Sequence, residues 1–202
     1  ELILNNIRGI SLSLQEEIPL EYNFNKKSGE IGSFELRGNV GSLFVSDTKF
    51  GQNLFTSNID LKELNLKYLR LFMPKSYDLK GSVNARAAID IKDGRVKAKG
   101  FINANNSLFI APSVFVPFEK LILDFDGSDN SIGARLEFAM RRNLGNGLVN
   151  VKVSDIKKSR KLSGSIDIDR LDLKLISQVG QIFNDIEGQV QSSGSIGGTL
   201  DK

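Results

Sequence analysis

The chain of 202 residues contains no histidine, no cysteine and no tryptophan, and only four prolines. Each absence removes a class of chemistry. Without His or Cys there is no Ser-His-Asp triad, no Cys nucleophile, no structural zinc site and no two-histidine iron site. Acid–base work would fall to Asp, Glu, Lys or Tyr alone. A carboxylate-only site for Mg or Ca stays open on composition, and Asp124 to Asn130 is the run to test. A helix–loop–helix calcium loop needs acids at its first, third and fifth positions, Gly at its sixth and Glu at its twelfth. Here Gly127 is fourth and Arg135 is twelfth, so the run reads as a hairpin turn. Asp and Glu are plentiful, yet nothing singles out one catalytic pair. Most enzyme classes therefore lose the residues they need, and no cofactor or metal is expected.

Other absences bound its setting. No apolar run approaches the roughly 20 residues that span a bilayer. No signal peptide is visible, and the start at Glu1 rather than Met gives the chain the look of a piece of a longer protein. The lack of cysteine fits a periplasmic or extracellular protein, and also many cytosolic ones. Lys and Arg number 27 against 24 Asp and Glu, a net charge of +3. That small excess comes without interleaved aromatics, so no nucleic-acid partner is expected. Apolar residues make up 40% and charged residues 25%, the balance of a folded chain rather than a disordered one.

What the chain does have is a period of two. Ile10, Leu12 and Leu14 alternate with polar residues, as do Ile18, Leu20, Tyr22 and Phe24. Val96 to Ala104, Leu121 to Phe125, Ala134 to Met140 and Val149 to Val153 repeat the pattern. Successive strand side chains point to opposite faces, so each run collects its apolar residues on one face. Asp93-Gly94, Asp126-Gly127 and Asn146-Gly147 are hairpin signals, and Lys157 to Lys161 is a charged turn. The strands, about a dozen or more, are expected to be consecutive and antiparallel. Scarce proline suits continuous sheet. Two segments break the alternation. Leu66, Leu69 and Phe72 are three apart before Pro74, and Leu173, Ile176 and Val179 are three apart before Gly180, each spacing predicting a short helix.

These segments belong to a longer internal match. Displaced by 107 residues without a gap, residues 59–91 align with 166–198: Ile59 with Ile166, Asp60 with Asp167, Leu64 with Leu171, Leu69 with Ile176, Gly81 with Gly188 and Val83 with Val190. Val45-Ser46-Asp47 matches Val153-Ser154-Asp155 with a slip of one residue. Repeats of this kind stack in one dimension and lengthen a body. No linker or composition shift marks a boundary, so residues 1–202 read as one elongated β domain.

So many one-sided strands must cover their apolar faces in one of two ways. One is a closed sandwich or barrel with a dry core. The other is a curled sheet whose apolar face lines a trough, some 55–60 Å long for a dozen strands. An outer-membrane barrel is excluded, because 13 of the 16 aromatics are Phe and no Tyr/Trp girdle exists. The most apolar run, Leu108 to Phe118, holds two prolines and is expected as a loop or edge crossing, or else as a lip of a trough.

The stretch Ser163 to Lys202, with a strand, an L-x-L step, a short helix, then "IEGQV" and "GTL", resembles the repeat of the TamB / AsmA-like envelope proteins. Gly81 to Leu148, with "GSVNARAAIDIKDGRVKAKG" and "PFEKLILDFDGSDNSIGARLEF", resembles the C-terminal conserved domain of that family, the TamB subunits of the translocation and assembly module. The resemblance covers roughly residues 30 to 202. It implies an all-β fold, an elongated and mostly antiparallel sheet curled into a U-shaped groove with an apolar interior and one or two very short helices. It implies a periplasmic segment of a protein anchored in the inner membrane of a diderm bacterium. It also implies phospholipid acyl chains as cargo, a TamA-type outer-membrane barrel as partner, client β-barrels as further partners, and no enzyme activity. The groove-lining residues expected on this reading are Ile59, Leu61, Val83, Ile89, Val96, Ile102, Leu121, Leu123, Phe125, Leu136, Phe138, Val149, Val151, Val153, Ile166 and Ile168. Two further readings stand beside it: a chaperone or assembly factor that pairs client strands at a sheet edge, and a passive spacer with a closed core. Lys157 to Lys161, with Arg141 and Arg142, would meet anionic head groups or an acidic partner if they are more than solvated turns.

Overall fold

A computed structural model of the chain describes residues 3–7, 10–112, 114–175 and 186–200. Alternation has become strand almost throughout. The strands are β1 Ile3–Ile7, β2 Ile10–Leu14, β3 Leu20–Asn23, β4 Ser28–Ile31, β5 Phe34–Gly38, β6 Gly41–Gly51 and β7 Leu54–Asn65. They continue as β8 Asp78–Lys92, β9 Arg95–Ala111, β10 Val114–Ser128, β11 Ser131–Met140, β12 Gly145–Ser154, β13 Lys161–Asp172 and β14 Gln189–Thr199. All join one antiparallel sheet in the order β1-β2-β5-β6-β7-β8-β9-β10-β11-β12-β13-β14, with β3 and β4 as a side hairpin against β6. β1 and β14 do not pair, so the sheet is open. Neighbours in sequence are neighbours in space except around this hairpin. There β6 turns its first half to β5 and its last residues to β4, and Asp47, at φ 53, marks the bulge between the halves.

The turns follow the sequence in part. Asp93 and Gly94 are left-handed at φ 49 and 73 and close the β8–β9 hairpin. Asp126-Gly127 and Asn146-Gly147 instead lie inside β10 and β12. The actual turns are at 129–130 and at 141–144, where Arg142 and Asn143 are left-handed. A glycine after Asp or Asn is also what a strand needs where another group approaches closely. Gly147 meets that need, because the ring of Phe138 lies 3.0 Å from the place a Cβ would occupy. The apolar run from Leu108 is the distal end of the β9–β10 hairpin. Pro117 is accommodated because Val114–Pro117 project past β11, whose pairing with β10 begins at Phe118 and Met140.

Both expected helices begin where the spacing places them. Leu66–Phe72 is a 3₁₀ helix capped by Asn65, whose Oδ1 accepts from the Lys67 N–H at 3.1 Å. Residues 173–175 are helical, and Asp172 Oδ1 accepts from the Lys174 N–H at 2.9 Å; Ile176 and Val179 lie outside the described residues. Other local devices recur at the same offset of 107. The register slips between Leu61 and Leu64 and again between Ile168 and Leu171. Gly81 and Gly188 stand at φ 108 and 129.

There is almost no interior. The buried apolar residues are Val40, Leu66, Val83, Ala104 and Leu175, and no described side chain is fully buried. The accessible surface is 13618 Å², against roughly 9,400 Å² for a compact protein of this mass. A sandwich of this length would bury a continuous second layer, so the closed core is overturned: the sheet is a single layer. Among the described residues a packed cluster sits under the 3₁₀ helix, where Leu66 meets Val83 and Ala104, flanked by Leu64, Leu69, Leu79 and Leu121. We expect Leu66→Ala to cost about 2–3 kcal/mol, while Leu123→Ala, on the uncovered sheet, costs under about 1.5 kcal/mol. Urea denaturation of the two variants measures the contrast.

Candidate functional site

Register settles which side chains share a face. One line of paired residues crosses eleven strands: Leu14, Leu36, Leu43, Leu61, Ala85, Ile102, Leu123, Leu136, Val149, Ile166 and Gly194. At 4.8 Å per strand it runs about 48 Å. Two residues along, the next line reads Phe34, Val45, Ile59, Ala87, Gly100, Phe125, Ala134, Val151, Gly164 and Ile196. On its other side lie Leu64, Val83, Ala104, Leu121, Phe138, Gly147 and Ile168. Further out come Ile89, Ala98, Gly127, Ile132, Val153 and Leu162, then Phe50, Phe55, Ile91 and Val96.

All sixteen residues expected to line a groove fall on this face. They are spread over five lines and are not gathered at one spot. The small residues between them were not in that set: Ala98, Gly100 and Ala104 alternate with Val96 and Ile102 in the sequence, whereas Ala85, Ala87 and Gly164 are placed on the same lines only by the pairing. The whole face is on the order of 1,000 Å², where a soluble monomer rarely exposes more than a few hundred Å² of contiguous apolar surface. Ile102, Val96 and Phe55 keep 39%, 41% and 37% of their surface open.

The aromatics lie flat on this face. Phe125 pairs with Gly100, Phe138 with Gly147 and Phe50 with Gly29. In each pair the ring covers its partner glycine, at 2.7, 3.0 and 2.6 Å from the place of a Cβ. Glycine opposite an aromatic lets the ring fold down over the backbone, which keeps the face low and open. A cavity of about 530 Å³ opens under the 3₁₀ helix, lined by Leu61, Leu69, Ile102, Phe109, Phe118 and Leu121 among others, with buried Ser107 its one hydroxyl.

The opposite face is polar and internally paired. Arg86 meets Asp60 at 2.6 Å, and Glu137 meets Lys120 at 2.5 Å and Arg135 at 3.5 Å. The Lys120 hydrogen bond holds the Glu137 carboxyl below the usual carboxylate range, so what this pair adds to stability is present above that range and fades as pH falls through the lowered value. These pairs are exposed and each is worth little. The described residues hold no cluster of three metal-ligating side chains. The basic groups expected to act together are separated: Arg141 and Arg142 stand at one end of β12, and Lys157 to Lys161 follow its other end about 30 Å away.

Gly100→Ala tests the flat packing. Its Cβ would run into the Arg86 carbonyl oxygen and the Phe125 ring, and both strands flanking it are paired along their length. We expect a loss of about 2–3 kcal/mol in urea denaturation, partly recovered in the double variant Gly100→Ala/Phe125→Leu.

No curated protein and no solved structure matches the chain. A family model does, described as TamB, N-terminal domain, over residues 5–202. It is the N-terminal domain that matches, where the quoted motifs suggested the C-terminal one; alternating strands, short helices and glycine steps define the architecture more than the position within it. A match over nearly the whole length, on an open sheet with one apolar face, places the chain in the TamB family.

Proposed function

We propose that the apolar face of this sheet carries the acyl chains of phospholipids between the inner and outer membranes. The chain would act as a periplasmic segment of a TamB-like envelope-biogenesis protein anchored in the inner membrane. One observation carries the reading: a five-line apolar face, about 48 Å along its central line, has no second layer of protein over it among the described residues. Water is a poor cover for such a surface, at about 25 cal/mol per Å². An extended hydrocarbon is a good one, since it needs no hydrogen bonds and fits a face of Leu, Ile, Val, Ala and flattened Phe. The protein's part is to bind and shield, and the reading asks for no catalytic residue. A TamA-type outer-membrane barrel is the partner it proposes.

The test is native mass spectrometry of the purified chain with lipid extraction of the same sample. We expect bound phospholipid in the parent chain, and a loss of at least tenfold in Leu123→Asp and Val151→Arg with circular dichroism unchanged. A parent chain free of lipid, or variants that unfold, would contradict the reading.

A further inference from the structure

Five turns share one end of the sheet. They are 24–27 between β3 and β4, 52–53 between β6 and β7, 93–94, 129–130 and 155–160; the pairs Ser28 with Gly51, Leu54 with Lys92, Ser128 with Lys97 and Ser131 with Ser154 set them level. From the β3–β4 tip to the β12–β13 turn this rim spans roughly 35–40 Å. It carries Lys26, Lys27, Lys92, Arg95, Lys157, Lys158, Arg160 and Lys161 against Asp93, Asp129 and Asp155. Lys92 pairs with Asp90 and Lys161 with Asp155, and Asp129 accepts the Val96 N–H. Lys26, Lys27, Arg95, Lys157, Lys158 and Arg160 are exposed and face no carboxylate at ion-pair distance among the described residues.

Just inside this basic edge stands a row of open apolar side chains. Phe24, at the β3–β4 tip, is 83% exposed, Ile132 57%, Tyr22 44%, Val96 41% and Phe55 37%. Tyr22 stacks on Phe50 with ring centroids 6.1 Å apart, and Phe24 meets Tyr22 edge-on at 4.9 Å. An aromatic at a hairpin tip is too exposed to serve folding. The other end of the sheet shows one comparable residue, Phe115, among the described ones.

We propose that this rim is a membrane-contact edge that seats the sheet on an anionic bilayer surface. Phe24 enters the head-group boundary, Tyr22 lies at the interface, and the lysines and arginines of the rim meet lipid phosphates. The order of parts is that of an interfacial anchor: an apolar residue at the tip, an aromatic with a polar handle behind it, and cations alongside. An acidic protein surface would satisfy the cations and leave Phe24 in water, so the bilayer is the partner that accounts for both. The contact leaves the line through Leu123 free: it uses the turns, with Phe55, Val96 and Ile132 from the two outermost lines of the apolar face.

The sequence has no tryptophan, so Phe24→Trp gives a single reporter. Vesicles of phosphatidylglycerol with phosphatidylcholine and of phosphatidylcholine alone are the probes, read by co-sedimentation and by Trp emission. We expect binding to the anionic vesicles with a blue shift of emission, and reversal by high salt. The double changes Lys26→Glu/Lys27→Glu and Lys157→Glu/Lys158→Glu should each weaken binding about tenfold or more. Arg141→Glu/Arg142→Glu at the far end, and Leu123→Asp in the central line, should leave it within about twofold. Loss of binding in the Arg141/Arg142 variant as large as at the rim would show diffuse charge attraction and overturn the proposal. Loss in Leu123→Asp would place the contact on the apolar face instead. Binding without a blue shift, matched by binding to polyglutamate, would assign the rim to an acidic protein and overturn it equally.

Discussion

A single-layered sheet has no interior to hold it, so the hydrogen-bond ladder between neighbouring strands carries the fold. Each strand from β7 to β13 is paired on both sides over most of its length. The chain can form this ladder because it is nearly free of proline and because successive strands are joined by short turns. The pairing is local in sequence, and each hairpin is placed by the one before it. Side-chain packing enters mainly at one place, where Leu66 and Leu69 fold over Val83, Ala104 and Leu121. Apart from Val40 and Leu175, the remaining apolar residues that are described are aligned by the ladder and stay partly open.

The two faces follow from the same constraint. Alternation with a period of two sends every second residue to one side, and the registers keep that side constant across eleven strands. Bulges interrupt the ladder without exchanging the faces. Leu61 to Leu64 on β7 spans three steps against two from Ala85 to Val83 on β8, and Ile168 to Leu171 on β13 three against two from Ser192 to Val190 on β14, so each bulge takes up one extra residue. The extra residue is absorbed inside each bulge, so the apolar residues on either side keep to one face, where an unabsorbed slip of one would have turned those beyond it to the polar side. Bulges also bend and twist strands, and here they lie beside the two short helices.

Much of this was legible in the sequence. Strand content, consecutive antiparallel order, both helix starts and the common face of Leu123, Leu136, Val149 and Ile166 follow from periodicity. What was not legible depended on pairing. Gly127 and Gly147 carry a turn signature, yet their use is in mid-strand, and only the partner strand shows it. Ala85, Ala87 and Gly164 give no apolar signal, although they continue the lines of Leu61, Ile59 and Val151. The choice between closed core and open face was also beyond the sequence, since both demand the same alternation. Arg141 and Lys157 are near in sequence, and the length of β12 sets them at opposite ends.

Everything above depends on the apolar face being uncovered by protein among the described residues. The chain has no cysteine, so single cysteines at Leu123, Val149 and Ile166 give clean reporters of cover. The rate of maleimide coupling in the folded, delipidated protein is the measurement. Rates within about tenfold of the urea-unfolded chain are expected, because partly exposed side chains need no unfolding to react. Protection by several orders of magnitude at all three positions, tracking global stability, would mean a second layer of protein over the face and would contradict it.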